Sequence, residues 1–179
     1  MHPDCERIML TEQQLQARIK EVAQAVNNDY ADKTPIVVSI LKGSVIFCAD
    51  FIRALTMPLE LEFMVVSSYG SGTVSSGKLK IKKDLDRDIK GRDIIIVEDI
   101  IDSGFTLANL KALLLERGAN SVKIATLLNK VARREYEVVP DYNCFDIEDE
   151  FVIGYGLDYN ELYRSLPYIG ILKRSVYEK

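Results

Sequence analysis

Ile94-Ile95-Ile96-Val97-Glu98-Asp99-Ile100-Ile101-Asp102-Ser103-Gly104-Phe105-Thr106 is the stretch on which the fold turns. Its first four residues are all β-branched, the pattern of a strand buried on both faces. Two adjacent carboxylates follow, then Asp102 and a short hydroxyl-rich loop. A helical spacing starts at once with Leu107, Leu110 and Leu114, and Gly118 stands where such a helix would stop. The order is strand, acidic loop, small loop, helix. Amides, hydroxyls and the positive end of a helix dipole then converge where a phosphate can sit. Carboxylates there would repel a phosphate unless they serve sugar hydroxyls, a divalent cation or a proton on a base. Taken alone, the stretch is equally compatible with a capped βα turn that binds nothing.

Working outward, the strand–loop–helix pattern repeats upstream. Ile36–Leu41 is a short buried strand, Lys42-Gly43-Ser44 a loop, and Val45–Leu55 an apolar helical segment. Gly43 permits close approach of the backbone and Lys42 adds a charge, although, taken alone, an ordinary turn with an exposed lysine is the preferred reading. Before it, Thr11 and Gln14 form a capping box for an amphipathic helix carrying Leu15, Ile19, Val22 and Val26. Leu59–Ser67 is a strand. It runs into Ser68-Tyr69-Gly70 and a Gly/Ser-rich segment to Gly77 that reads as a surface loop or a lid. Downstream of the central helix, Val122–Leu128 is the next parallel strand, with Lys130 just past its C-terminal end, where ligands of open parallel sheets bind. Arg133 and Arg134 read as solvated. Phe151 fits either the core or a stack on a planar ligand. Gly154 and Gly156 imply an irregular, tightly packed backbone, and Tyr168–Leu172 is a last strand.

The whole chain, 179 residues with 47% apolar and 28% charged residues, suits one α/β domain spanning 1–179. A net charge of −4 argues against general nucleic-acid binding. No apolar run is long enough to span a membrane and the N-terminal residues lack a signal-peptide pattern, so the cytoplasm is the expected compartment. Cys5, Cys48 and Cys144 are widely spaced and read as reduced thiols. His2 is the single histidine, so histidine-based nucleophile and zinc chemistry are excluded. Proton transfer falls to Asp, Glu, Lys or Tyr, and a bound metal would be a hard cation on carboxylates. There is no Gly-x-Gly-x-x-Gly and no Gly-x-x-x-x-Gly-Lys-Ser/Thr, which sets aside dinucleotide and P-loop sites.

Val97–Thr106 closely resembles the phosphoribosyl-diphosphate signature of the type I phosphoribosyltransferases, and the resemblance covers nearly the whole chain. Leu41-Lys42-Gly43-Ser44 resembles the family's diphosphate loop, and Ser68-Tyr69-Gly70 the start of its mobile loop. Leu128-Asn129-Lys130, Glu150–Tyr159 and Tyr163-Arg164 resemble the purine end of the hypoxanthine-guanine branch. The fold this implies is a mostly parallel central sheet flanked by helices, with a small hood contributed mainly by about residues 140–179 and joined by N-terminal chain.

The activity implied is Mg2+-dependent transfer of the 5-phosphoribosyl group from 5-phosphoribosyl 1-diphosphate to hypoxanthine or guanine. By the same resemblance, Glu98 and Asp99 face the ribose hydroxyls and the metal, and Asp102 accepts the purine proton. Ser103, Gly104, Phe105 and Thr106 cradle the 5′-phosphate. Lys130 binds the 6-oxo group, Phe151 stacks on the base and Val152 contacts it through its backbone. Asp158 reaches magnesium, Arg164 the diphosphate, and Lys42 and Gly43 bind diphosphate across what is often a cis peptide in this family. Phe105 departs from the polar or basic residue that relatives often carry, which bears on substrate affinity or on packing beside the loop. A homodimer or homotetramer is expected. The rival readings are a xanthine- or guanine-preferring sister enzyme and a nucleotide-sensing RNA-binding regulator on the same fold.

Overall fold

The computed structural model describes residues 1–68 and 79–178. Its centre is β5 (Asp93–Ile101), in which Ile94, Ile95, Ile96 and Val97 are all fully buried. Burying each such side chain contributes about 1.5–3 kcal/mol, and alternate residues face opposite cores. Ile95 and Val97 join one apolar cluster with helices α1 (Glu12–Asp29) and α2 (Val45–Ala54). Ile94 and Ile96 join another with α3 (Phe105–Glu116), through Leu107, Leu110 and Leu114. A strand between two helical layers must be apolar on both faces, and this one is.

Around β5 a six-stranded sheet forms in the order β4-β3-β2-β5-β6-β7. The strands β2 (Ile36–Ile40), β3 (Glu60–Ser68), β5, β6 (Ser121–Asn129) and β7 (Tyr142–Asp146) run parallel, and β4 (Leu79–Lys83) pairs antiparallel on the edge. The expected mostly parallel sheet with flanking helices is therefore what the chain forms. After β2 the chain turns outward to β3, and after β5 it turns the other way to β6. The topological switch lies between β2 and β5, where open α/β sheets leave a crevice at the strands' C-terminal ends.

A second, three-stranded sheet has the order β1-β9-β8, from Cys5–Leu10, Ile169–Leu172 and Val152–Ile153. The segment from about residue 140 onward thus divides. β7 completes the large sheet, while β8 and β9 form the hood with N-terminal β1. A short helix, α4 (Arg174–Tyr177), follows β9. The capping box at Thr11 and Gln14 is formed, with both reciprocal hydrogen bonds in place. Among the described residues, no helix is long and apolar enough to cross a membrane.

Candidate active site

A cleft of about 350 Å³ opens at the β2/β5 switch. The loop after β2 supplies Lys42 and Gly43, the end of β5 supplies Glu98 and Asp99, and the β5–α3 loop supplies Asp102 to Thr106. The hood supplies Asp158 and Arg164 from the opposite side. Eleven residues singled out in the sequence therefore line one cavity. Lys130, Phe151 and Val152 lie outside that lining, beside it at the end of β6 and the start of the hood. Ser68 ends β3. Tyr69, and the lid expectation built on it, lie outside the described residues.

The phosphate-like corner is set by backbone. Gly104 precedes α3 at φ 87°, a left-handed conformation that favours glycine, and no side chain caps the helix. The first amides of a helix have no intrahelical acceptor, so this N-terminus presents donors to the cleft. Phe105 donates its amide to the Ser103 hydroxyl at 3.3 Å and turns its ring onto Tyr136, edge to face at 5.2 Å. Its aromatic bulk is thus absorbed by packing against the segment after β6.

Close approach fixes the opposite wall. A Cβ at Gly43 would overlap the Asp99 carboxylate, and one at Gly156 would overlap the Gly43 carbonyl oxygen. The hood is therefore laid backbone to backbone on the loop after β2. The Leu41–Lys42 peptide is cis. Ser44 ties this loop down by donating to the Ile40 carbonyl at 2.7 Å, and it lies 2.7 Å from the Ser39 hydroxyl. In the hood, Tyr155, Asn160, Glu161 and Tyr163 all adopt positive φ, the only non-glycine residues to do so among those described. Such conformations cost on the order of 1–3 kcal/mol each and persist where surrounding structure over-determines them.

The electrostatics separate into two sides. Burial holds the Glu98 carboxyl well above the usual carboxylate range, and the Asp99 charge beside it adds to the rise. Burial also raises Asp99, opposed by the hydrogen bond from Glu98, by the amide of Ile100 and by the Arg164 charge. On the hood side, Arg164 NH2 lies 2.9 Å from Asp158 and 3.4 Å from Glu161. Lys42 Nζ lies 2.8 Å from the same Glu161 carboxylate oxygen. Glu98, Asp99 and Asp158 share the cleft but do not gather at one point. Among the described residues, no group of three or more His, Cys, Asp or Glu side chains converges to hold a metal ion.

Asp102 lies between the two sides with its side chain 51% exposed, in contrast to its buried neighbour Ile101. Lys130 donates its amide to the Ile101 carbonyl at 2.9 Å and keeps its side chain nearly buried, its ammonium 3.5 Å from Asp149. Arg133 and Arg134 are not simply solvated. Arg133 Nε binds Asp149 at 2.7 Å and lies 3.9 Å from Asp102. Arg134 turns inward to the Val138 carbonyl and the Asn129 side chain. Phe151 is half-exposed rather than core. Its ring meets Tyr159 edge to face and stacks on Tyr177 of α4 at 4.8 Å. Asp149, Glu161 and Tyr177 carry no motif, and the sequence did not single them out.

The phosphoribosyl transferase domain family matches residues 8–160 of this chain. The hypoxanthine-guanine phosphoribosyltransferase of Streptococcus thermophilus is 48% identical over 179 residues, covering 100% of this chain and 99% of its own length. That of Bacillus subtilis is 49% identical over 178 residues, 99% of each chain. A solved hypoxanthine phosphoribosyltransferase from Staphylococcus aureus superposes with a TM-score of 0.96 at 46% identity, covering 100% of this chain and 97% of that one.

Proposed function

This chain belongs to the phosphoribosyl transferase domain family, and on that premise we infer that it is a purine-salvage enzyme that transfers 5-phosphoribosyl from 5-phosphoribosyl 1-diphosphate to hypoxanthine and guanine, releasing diphosphate. The observation that carries this reading is the cleft itself. An uncapped helix N-terminus faces two adjacent carboxylates, of which Glu98 is buried, and two cations stand on the far wall. A 5′-phosphate, two ribose hydroxyls and a diphosphate need that sequence of surfaces in that order.

In the reaction, an imidazole nitrogen of the purine bonds to C1 of the sugar while the C1–oxygen bond to diphosphate breaks. The electron pair leaves with diphosphate, and the purine N–H proton passes to Asp102. The loop Ser103–Thr106 holds the 5′-phosphate through backbone amides. Glu98 and Asp99 accept from the sugar hydroxyls. Lys42 and Arg164 offset the charge of the departing diphosphate, and the backbone at Gly43, which lines the same cleft, is assigned to bind it. Lys130 donates to the 6-oxo group, Phe151 offers a ring face to the base, and Val152 supplies backbone contacts.

Mg2+ takes one or two protein carboxylates with the rest of its oxygen ligands from substrate and water, so carboxylates that share the cleft without converging on one point still fit it. Glu98, Asp99 and Asp158 are the side chains that would hold it. When bound it would supply charge to the leaving diphosphate. The buried free thiols of Cys5, Cys48 and Cys144 suit a reducing, cytoplasmic setting, and the family likeness is what carries the expectation of a homodimer or homotetramer.

The deciding experiment incubates the protein with phosphoribosyl diphosphate, Mg2+ and each purine separately, with chelator as a control. IMP from hypoxanthine and GMP from guanine are the expected products, and both disappear with chelator. Absence of both nucleotides under saturating substrate overturns the reading. Exclusive use of xanthine would move the chain to the sister activity.

A further inference from the structure

Purine recognition must join two separate parts of the fold. Lys130 stands at the end of β6 on the large sheet, whereas Phe151 and Val152 open the hood. One side chain outside the roles above ties these parts together. Asp149 is two residues before Phe151, and its Oδ1 faces both Lys130 Nζ at 3.5 Å and Arg133 Nε at 2.7 Å. Arg133 extends the chain of charges to Asp102, 3.9 Å away.

The exposures rank these contacts. The Lys130 side chain is only 10% exposed, and Asp149 is its one carboxylate partner within ion-pair distance among the described residues. A nearly buried ammonium without a counter-charge is costly, and it relaxes toward water or loses its proton. Asp149 and Arg133 are 42% and 55% exposed, so their mutual pair adds little to stability by itself. Its value is geometric, because it fixes the carboxylate against which Lys130 is set. The bonds around it stiffen the segment: Glu150 donates its amide to the Glu148 carbonyl at 2.9 Å, and Leu172 donates to the Phe151 carbonyl at 2.8 Å.

We propose that Asp149 is a positioning residue for purine recognition, holding Lys130 at the 6-oxo group and, through Arg133, Asp102 at the imidazole edge. This rests on the reading of Lys130 as the 6-oxo donor. Asp149 touches no reacting atom. It sets the angle of the ammonium that tells a 6-oxo acceptor from a 6-amino donor.

The test compares Asp149→Asn with the parent in steady-state assays against hypoxanthine, guanine, adenine and phosphoribosyl diphosphate. Asn keeps the shape and removes the charge. The purine KM is expected to rise roughly tenfold, a factor that corresponds to one charged hydrogen bond. The KM for phosphoribosyl diphosphate stays within about twofold, and preference for hypoxanthine over adenine falls. A purely structural role would move both KM values together and leave that preference intact. Asp149→Ser serves if the Asn variant fails to fold.

Lys130→Ala separates the two levels of the argument. If it leaves the purine KM unchanged, the reading of Lys130 fails. If it raises the purine KM while Asp149→Asn does not, the role of Asp149 fails and that of Lys130 stands. In the double variant, the Asp149 change is expected to add less than about twofold to the Lys130 effect, since coupled residues are non-additive. Full additivity overturns the proposal.

Discussion

Lys42 Nζ and Glu161 Oε2 lie 2.8 Å apart across the mouth of the cleft, and Arg164 reaches the same oxygen at 3.4 Å. One carboxylate thus stands between the two cations expected to receive diphosphate. The Lys42 ammonium beside it holds the Glu161 carboxyl below the usual range, so it is ionised when the site is empty. An anion entering here must displace it or share its partners.

Glu161→Gln removes that competitor and is expected to lower the KM for phosphoribosyl diphosphate by roughly two- to fivefold, the scale of an exposed ion pair. Inorganic diphosphate should inhibit the variant more strongly, and the purine KM should stay constant. A raised KM for phosphoribosyl diphosphate would show instead that Glu161 holds the cations in place for the substrate.

Glu98 makes a prediction about stability. A carboxyl whose pKa is higher in the folded than in the unfolded chain binds its proton more tightly when folded. Stability therefore falls as pH rises above the ordinary value of 4.5 and levels off beyond the raised folded value. Glu98→Gln should raise Tm in chelator at pH 8 by about 2–4 °C for each kcal/mol regained, with the gain shrinking toward pH 5. The same change should weaken phosphoribosyl diphosphate binding. A Tm difference independent of pH would remove burial of charge as the cause.

Asp102→Asn keeps the shape of the side chain and abolishes its basicity. Turnover should drop by about 10²–10⁴-fold, the usual contribution of a general base, while both KM values change by no more than a few-fold. Pre-steady-state and steady-state rates measured side by side would show whether chemistry has become limiting. Unchanged turnover takes Asp102 out of proton transfer.

Phe105 tests whether the phosphate loop acts through backbone or side chain. Its ring is engaged with Tyr136, and such a pair contributes about 0.5–1.5 kcal/mol beyond burial. Phe105→Ser should therefore lower Tm while the KM for phosphoribosyl diphosphate stays within about twofold. A large KM change at constant Tm would put the ring on the substrate.

The parts that the sequence disclosed were those encoded by contiguous residues. The run Ile94–Val97 announces a strand between two layers because both of its faces are apolar, and Thr11 with Gln14 announces a helix start because both halves of the cap are three residues apart. The two faces of the cleft that come from β2 and β5 were legible for the same reason. Arg133 is exposed as read, but its ion pair with Asp149 could not be foreseen because the two are apart in sequence and no periodicity links them. Arg134 was misread as solvated because the Val138 carbonyl and Asn129 that it turns toward are set by the fold. β1 was missed as a strand because its residues bury only Cys5 fully, and its pairing is decided by β9, far along the chain. Phe151 shows the same limit. Its half-exposed ring is set by Tyr159 and Tyr177, which local composition does not foretell.

The hood sheet carries a consequence for how the protein is made. β9 at Ile169–Leu172 is the middle strand, and both β1 and β8 pair to it. During synthesis the large sheet has all its strands once β7 has emerged, so its layers can pack while translation continues. The hood cannot close then, because β1 waits for β9, which follows β7 in the chain and emerges after it. Arg164, Asp158 and the ring pair of Phe151 and Tyr177 settle only after that closure. The wall of the cleft that carries Asp158 and Arg164 is thus completed by the last strand of the chain to form.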